Sequence, residues 1–444
     1  MAEQDVIPAR PRTLATDRGP IGNFLAATEL DTRLIGMIAA LGIIWVGFHV
    51  MSGGVFLTPR NLWNLSVQTS EVAVMATGMV LIIVTRNIDL SVGSILGFVG
   101  MIMGVVQAEI LPQYLGYGHP LIWILALASG IVLGMIIGAL QGAIIAYLEV
   151  PAFIVTLGGY LVWRGAAWWV ASGRTIAPMD TTYQLMGGGA LGSIGFLWSW
   201  ILCALVCVAI LLMIVMGRRQ RRRFNFPQRP VWAEATHTAA MAIRQPSAAS
   251  VAIAAVWVAN SYPWPVGVAR AFAQAHNITV PPDGLFISTG VAVPVLIAMG
   301  AGVVMTFIAT RTRFGRYVFA MGGNPEAAEL AGINTRWVTV KIFILMGALC
   351  GISAGIATAR LNAATNGLGT LDELYVIASA VIGGTSLQGG VGTIVGAMIG
   401  ALVMQSLQSG MQLVGLASPL QSIVVGAVLV FAVWLDAIYR RRAK

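Results

Sequence analysis

Lysine is almost missing from this chain. Its 444 residues hold two, Lys341 and Lys444, and neither follows a glycine. A nucleotide-binding P-loop ends in Gly-Lys-Ser/Thr so that the lysine reaches the terminal phosphates, so the chain has no such loop. Charge of either sign is scarce, at 10% of residues, against about 25% in a soluble domain. That excludes an ordinary cytosolic enzyme and a disordered protein. Only three cysteines occur, Cys203, Cys207 and Cys350, each inside an apolar run and none in a C-x-x-C pair, so neither a zinc site nor a disulfide framework is indicated. The four histidines (His49, His119, His237, His276) are scattered without ligand spacing, and no metal site is expected.

What the chain has instead is apolar length. Hydrophobic residues make up 57% and mean hydropathy is +0.83. Apolar runs fall at 34–56, 67–85, 90–107, 121–147, 152–171, 194–216, 288–309, 338–359, 374–387, 391–413 and 420–438, with a weaker one at 236–259. Most match the ~20 residues that cross a bilayer as a helix. The expected fold is therefore all-α and polytopic, with 10–12 transmembrane or half-membrane helices between residues 33 and 439. The net charge of +9 comes from arginines clustered between these runs, a pattern of cytoplasmic loops and not of a nucleic-acid-binding domain.

Arginine placement orients the chain. The tail 1–32, the loops 217–235 and 310–341, and the tail 440–444 are basic, so all four are expected in the cytoplasm, both termini included. Between the two basic loops the chain must leave and return. This requires the weak run at 236–259 to cross and puts the loop 260–287 on the periplasmic side. Residues 1–32 lack the short apolar region and cleavage site of a secretory signal, so they are expected to remain as a tail.

Two regions are short for what they must hold. Val72 to Val106 and Leu374 to Leu413 are each too brief for two full helices and a turn, so half-helices or re-entrant pieces are expected there. The two regions also resemble each other: Ser91-Val-Gly-Ser-Ile-Leu-Gly97 matches Gly390-Val-Gly-Thr-Ile-Val-Gly396, which suggests an internal repeat. Glycine ladders at 130/134/138/142, 347/351/355 and 392/396/400 mark faces where helix backbones approach closely.

Catalytic chemistry is not apparent. Gly351-Ile-Ser-Ala-Gly355 fits the hydrolase pattern G-x-S-x-G but lies mid-span, without the strand-to-helix turn the motif needs. The ionisable residues in or near spans are Glu71, Arg86, Asp89, Arg164, Arg244 and Arg360, and most fall near expected span ends, where snorkelling accounts for them. Arg86 and Asp89 bracket a polar break, either as a structural pair or as part of a pathway.

The stretch Gly323-Asn-Pro-Glu-Ala-Ala-Glu-Leu-Ala-Gly332 predicts a short capped helix. Asn324 suits the N-cap, Pro325 the first helical position, Glu326 and Glu329 the positive end of the dipole, and Gly332 the stop. Ala327, Ala328, Leu330 and Ala331 would offer a small-residue docking surface.

Glu326-Ala-Ala-x-x-x-Gly332 resembles the loop by which bacterial ABC importer permeases grip their ATPase. Asn87-Ile-Asp-Leu-Ser-Val-Gly-Ser94, and Ala378 through Gly392 (ASAVIGGTSLQGGVG), resemble signatures of the monosaccharide permeases of the ribose/xylose/galactose class. The arginine-rich 218–223 and the segment Arg360–Tyr375 are similar to its xylose branch. The resemblance spans about residues 30–440.

It implies a transport subunit of the bacterial inner membrane, working as a homodimer. ATP and Mg would be held by a separate ATPase subunit, and a periplasmic sugar-binding protein would deliver a monosaccharide, with D-xylose as the implied cargo. No cofactor is expected on this chain. It further implies ATPase coupling through Asn324, Glu326, Ala327, Ala328 and Gly332. The polar breaks suggest a translocation pathway near Asn87, Asp89, Ser91, Ser94, Thr385 and Ser386. A self-contained ion-coupled sugar transporter is the alternative.

Overall fold

A computed structural model describes residues 32–223, 250–278 and 285–443. Residues 1–31 of the expected tail 1–32, most of the loop 217–235, the first half of the weak run 236–259, residues 279–284 of the loop 260–287 and the last residue, 444, lie outside the described residues. Within them, helices follow one another along the chain: α1 Thr32–Met51, α2 Pro59–Val84, α3 Val92–Val105, α4 Ile122–Tyr147, α5 Ala152–Ala171 and α6 Gly195–Arg223. After the gap come α7 Ser250–Asn260, α8 Val266–Ala275, α9 Val293–Arg311, α10 Arg313–Gly323, α11 Pro325–Leu330, α12 Thr335–Leu361, α13 Asp372–Ile382, α14 Ile394–Leu413 and α15 Ser418–Ala443. Among the described residues the only β pairing is three isolated bridges. The protein is an all-α polytopic membrane protein.

Seven of these helices are long and apolar enough to cross a bilayer, fewer than the segments expected. The difference has identifiable sources. Three further apolar stretches, Gly36–Met51 of α1, Ser250–Asn260 and Ser418–Trp434 of α15, have only 10–17 residues, α5 carries an arginine in its interior, and α13 has 11 residues. At about 1.5 Å per residue α13 reaches roughly 16 Å, half a bilayer core, which is the half-helix expected in 374–413. The other cramped pair is corrected. Helix α2 begins at Pro59, not near 67, capped by Thr58, whose hydroxyl accepts from the Asn61 N–H. Its first turns carry Arg60, Asn61 and Asn64, polar residues that hide a helix from hydropathy. At its far end α3 continues through a single π turn, Val106–Ile110, to Leu115. Both are full-length.

The loops also hold more helix than expected. The backbone of α6 runs on through Arg223, since arginine is a good helix former whatever its hydropathy. The loop 260–287 contains α8, and most of 310–341 is helical.

Helix α2 is the axis of the bundle. From Ser70 to Val84 every side chain is buried, against α12, α13 and α14 on its different sides. Helices α4 and α12 pack through the first two glycine ladders: a Cβ on Gly134 would collide with the Gly347 carbonyl oxygen, and one on Gly347 with that of Gly134. The third ladder meets α13 in the same way, Gly396 against the Gly383 carbonyl and Gly400 against that of Ser379. Without water to drive helices together in a bilayer, such backbone approach supplies the dispersion contact that holds them.

Candidate functional site

The two ends of α2 fix the layout. Near its N-terminus, Trp63 Nε1 donates to the Gly290 carbonyl at 2.8 Å, beside the segment that carries α8. Past its C-terminus, the Arg86 guanidinium donates to the carbonyls of Gly322 (3.1 Å) and Gly323 (2.8 Å), just ahead of α11. Helices α8 and α11 therefore lie at opposite ends of the bundle.

At the α11 end the expected capped helix is present as six residues, Pro325–Leu330. The Asn324 side chain accepts from the Ala327 N–H at 3.0 Å, Pro325 opens the helix, and Gly332 follows with φ +80°. Glu326, Ala327 and Gly332 are exposed, and Leu330 stands 91% exposed, an unusual posture for a leucine. Ala328 is buried, so it anchors the helix and does not belong to the exposed docking face expected of it. Glu329 accepts from Thr335 Oγ1 at 2.5 Å, tying α11 to the start of α12.

The polar breaks gather at this same end. Asp89, Ser91, Ser94, Thr385 and Ser386 are fully enclosed, and Asn87 is half-buried. Asp89 Oδ1 accepts from the Ser91 N–H (2.8 Å) and hydroxyl (2.5 Å), and the Ser91 hydroxyl also reaches Gln141 Oε1 at 3.1 Å. Asp89 is thus partnered by Ser91, while Arg86 points the other way, to Gly322 and Gly323. The second break is brought against the first where the Gly390 N–H donates to the Val84 carbonyl at 2.9 Å. None of the expected pathway residues lines the polar cavity between α2, α12 and α14.

That cavity lies between α2, the end of α12, the connection to α13, and α14. It measures about 340 Å³ and is lined by Gln68, Glu71, Arg360, Thr365, Asp372, Gln405, Gln408 and Gln412, among others. Three glutamines fall at i, i+3 and i+7 of α14, one helix face. Gln68 and Glu71 sit one turn apart on α2. Glu71 Oε2 is 4.0 Å from the Arg360 guanidinium. Ser353, the serine of the G-x-S-x-G match, gives its hydroxyl to the Glu71 carbonyl at 2.9 Å and serves packing.

The floor of this recess is set by an arginine. Arg164, thirteenth of the twenty residues of α5, donates from Nη1 to the carbonyls of Asn366 (3.2 Å) and Leu368 (2.8 Å), and from Nη2 to Gly369 (3.1 Å). It is not a span-end residue, and neither is Glu71, thirteenth of twenty-six in α2. An ionisable group inside an apolar helix is by default a pointer to function, and that signal was legible in the sequence. The four glutamines were missed because amides carry no charge to draw notice.

A many-helix membrane bundle with a polar recess let in between its helices fits one class, a multi-pass membrane transport protein. The chain belongs to the family described as branched-chain amino acid transport system / permease component, which matches residues 61–433. It is 36% identical over 423 residues to the xylose transport system permease protein XylH of Escherichia coli, covering 95% of this chain and 96% of that one. The XylH of Haemophilus influenzae is 33% identical over 414 residues, 93% and 98% of the two chains. The ribose import permease protein RbsC of Escherichia coli is 31% identical over 385 residues, 86% and 87%. No solved structure matches. The protein is accordingly a permease, a transport subunit and not an enzyme.

Proposed function

We propose that this permease is the membrane-spanning subunit of an ATP-driven importer that carries a monosaccharide, D-xylose in the first instance, from the periplasm to the cytoplasm. The observation that carries the reading is its full-length similarity to permeases named for xylose and ribose transport. The chain has no Gly-Lys dipeptide with which to build a P-loop, so ATP and Mg belong to a separate ATPase subunit. A periplasmic sugar-binding protein delivers the cargo, and a second copy of the permease completes the assembly in the bacterial inner membrane. A self-contained ion-coupled transporter is not favoured.

In this reading α11 faces the cytoplasm and is the grip for the ATPase, through Asn324, Glu326, Ala327 and Gly332, with Ala328 as its anchor. Both termini lie on the same side, and the loop 260–287 with α8 faces the periplasm. Support comes from the exposed Leu330 beside exposed Glu326, and from the arginine excess of the flanking segments. Asn87, Asp89, Ser91, Ser94, Thr385 and Ser386 then form the inner end of the route, closed in this conformation. The link to ATP is short: α11 follows Gly322 and Gly323, whose carbonyls hold Arg86. The matching segments 91–97 and 390–396 each span the start of a helix, α3 at Val92 and α14 at Ile394.

Glu326→Lys and Gly332→Pro test this. With the ATPase and binding protein reconstituted alongside, sugar-stimulated ATP hydrolysis and uptake should fall by at least about tenfold, a loss of ~1.4 kcal/mol in coupling, while membrane insertion stays normal. Wild-type activity in both variants would overturn the assignment of α11.

A further inference from the structure

Among the described residues, no hydrogen bond joins the carboxamides of Gln68, Gln405, Gln408 or Gln412 to another protein group. Each offers two N–H donors and a carbonyl acceptor. Gln405 is buried, Gln68 and Gln408 are half-buried and Gln412 is exposed, so the four amides run from the interior of the bundle to its surface along one polar recess, open to a ligand or to water. Three of these four are ranked along one face of α14, with Gln68 of α2 lining the same recess. The group is an array directed at one volume and not a scatter.

We propose that this recess is a sugar site belonging to the permease itself, in which the glutamine amides hold one neutral monosaccharide by exchanging hydrogen bonds with its hydroxyls. The inference rests on the proposed sugar-importer function and deepens it. A hydroxyl both donates and accepts, as a carboxamide does, so a polyol can saturate such a wall without supplying charge. The charged groups fit this too. Arg360 lies 4.0 Å from Glu71 and a second carboxylate, Asp372, lines the same recess, so carboxylates outnumber the one arginine and disfavour a cargo that carries a free carboxylate. Apolar lining is limited to Val72, Leu361 and Leu368, too little to house the side chain of a branched amino acid. A volume of about 340 Å³ stands at the small end of ligand sites, which run from about 300 to 1,000 Å³. It admits one sugar ring and some water, and excludes an oligosaccharide.

The permease, purified whole in lipid nanodiscs, is titrated with isotope-labelled D-xylose and read by saturation-transfer NMR, with L-leucine as competitor. Wild type should bind D-xylose weakly and L-leucine should not displace it. The triple variant Gln405→Leu, Gln408→Leu, Gln412→Leu should bind at least about tenfold more weakly, and Gln408→Asn should recover part of what Gln408→Leu loses. Should the triple variant fail to fold, Gln412→Cys supplies the readout: a charged aqueous thiol reagent should label it above the wild-type background, and D-xylose should slow that labelling. Equal sugar binding by a folded triple variant, displacement by L-leucine, or labelling indifferent to D-xylose would each overturn the proposal. These failures are separable from failure of the functional reading. ATP-driven D-xylose uptake by the complete assembly, without binding in the recess, removes the site and leaves the function standing; no uptake by that assembly removes the function.

Discussion

The two ends of α2 meet opposite surroundings. In its first half, Gln68 and Glu71 border a recess whose amides have no protein partners among the described residues. At its last residue, Val84 is enclosed, its carbonyl taken by the Gly390 N–H, while Arg86 is fastened to the carbonyls of Gly322 and Gly323. One end opens its amides onto a cavity, and the other is closed by glycine backbone, with the Ser94 and Thr385 hydroxyls enclosed beside it and unpartnered among the described residues. A transporter needs such a difference. Amides that face a cavity can accept a cargo, whereas a barrier must leave cargo and water no room to enter. Along one helix the bundle thus changes from receptive to sealed, and the change follows from which neighbour closes on α2: glutamine side chains of α14 in the first half, glycine backbone in the last turn.

The difference can be broken from the receptive side with Arg164→Met. Its three bonds to the carbonyls at 366, 368 and 369 shape the recess floor, and at ~1 kcal/mol each their loss should cost about 3 kcal/mol of stability. Arg164→Lys, with one ammonium in place of a fork, should recover less than half. Thermal unfolding in detergent, compared across the three proteins, measures this; a midpoint unchanged in Arg164→Met would show the floor to be held by other contacts.

The sealed end is attacked by Gly322→Val. A Cβ there would collide with the Val84 carbonyl oxygen and lie 2.6 Å from the Gly390 nitrogen, so the seam must open. The expected cost is ~2 kcal/mol, typical of forcing a side chain into a filled site, with a leak to small solutes that proteoliposome swelling would detect. A variant as stable and as tight as wild type would refute the close approach.

The smallest effect sharpens the comparison without breaking it. Ser91→Ala removes the hydroxyl that donates to Asp89 and leaves the backbone N–H bond to the same oxygen. A loss of ~1 kcal/mol is expected, with the sealed end intact. Solute leakage in this variant would mean that the serine, and not the glycine backbone, makes the barrier.

Much of this was legible in the order of residues. Apolar runs near bilayer length require helices, because only helices and closed barrels satisfy the backbone in lipid. Asn324, Pro325 and Gly332 specify the start and stop of α11 by chemistry local to it. The glycine ladders announce which helix faces touch, although not that the ladder of α4 meets that of α12. The polar residues of the first turns of α2 hid its start, since hydropathy averages over a window and scores Arg60, Asn61 and Asn64 as unlike a span.

The recess belongs to the other category. Gln68, Arg164, Arg360 and Gln405 are separated by as many as 337 positions along the chain, and nothing local to any one of them indicates the others. Composition and spacing determined that the chain would span a membrane as packed helices, because burying apolar surface and pairing every backbone group are requirements that each segment meets within itself. Where the polar groups would converge was decided only by the tertiary arrangement. It depends on which helix faces close backbone to backbone and which are held apart, and that is a property of pairs of helices, not of any stretch of sequence.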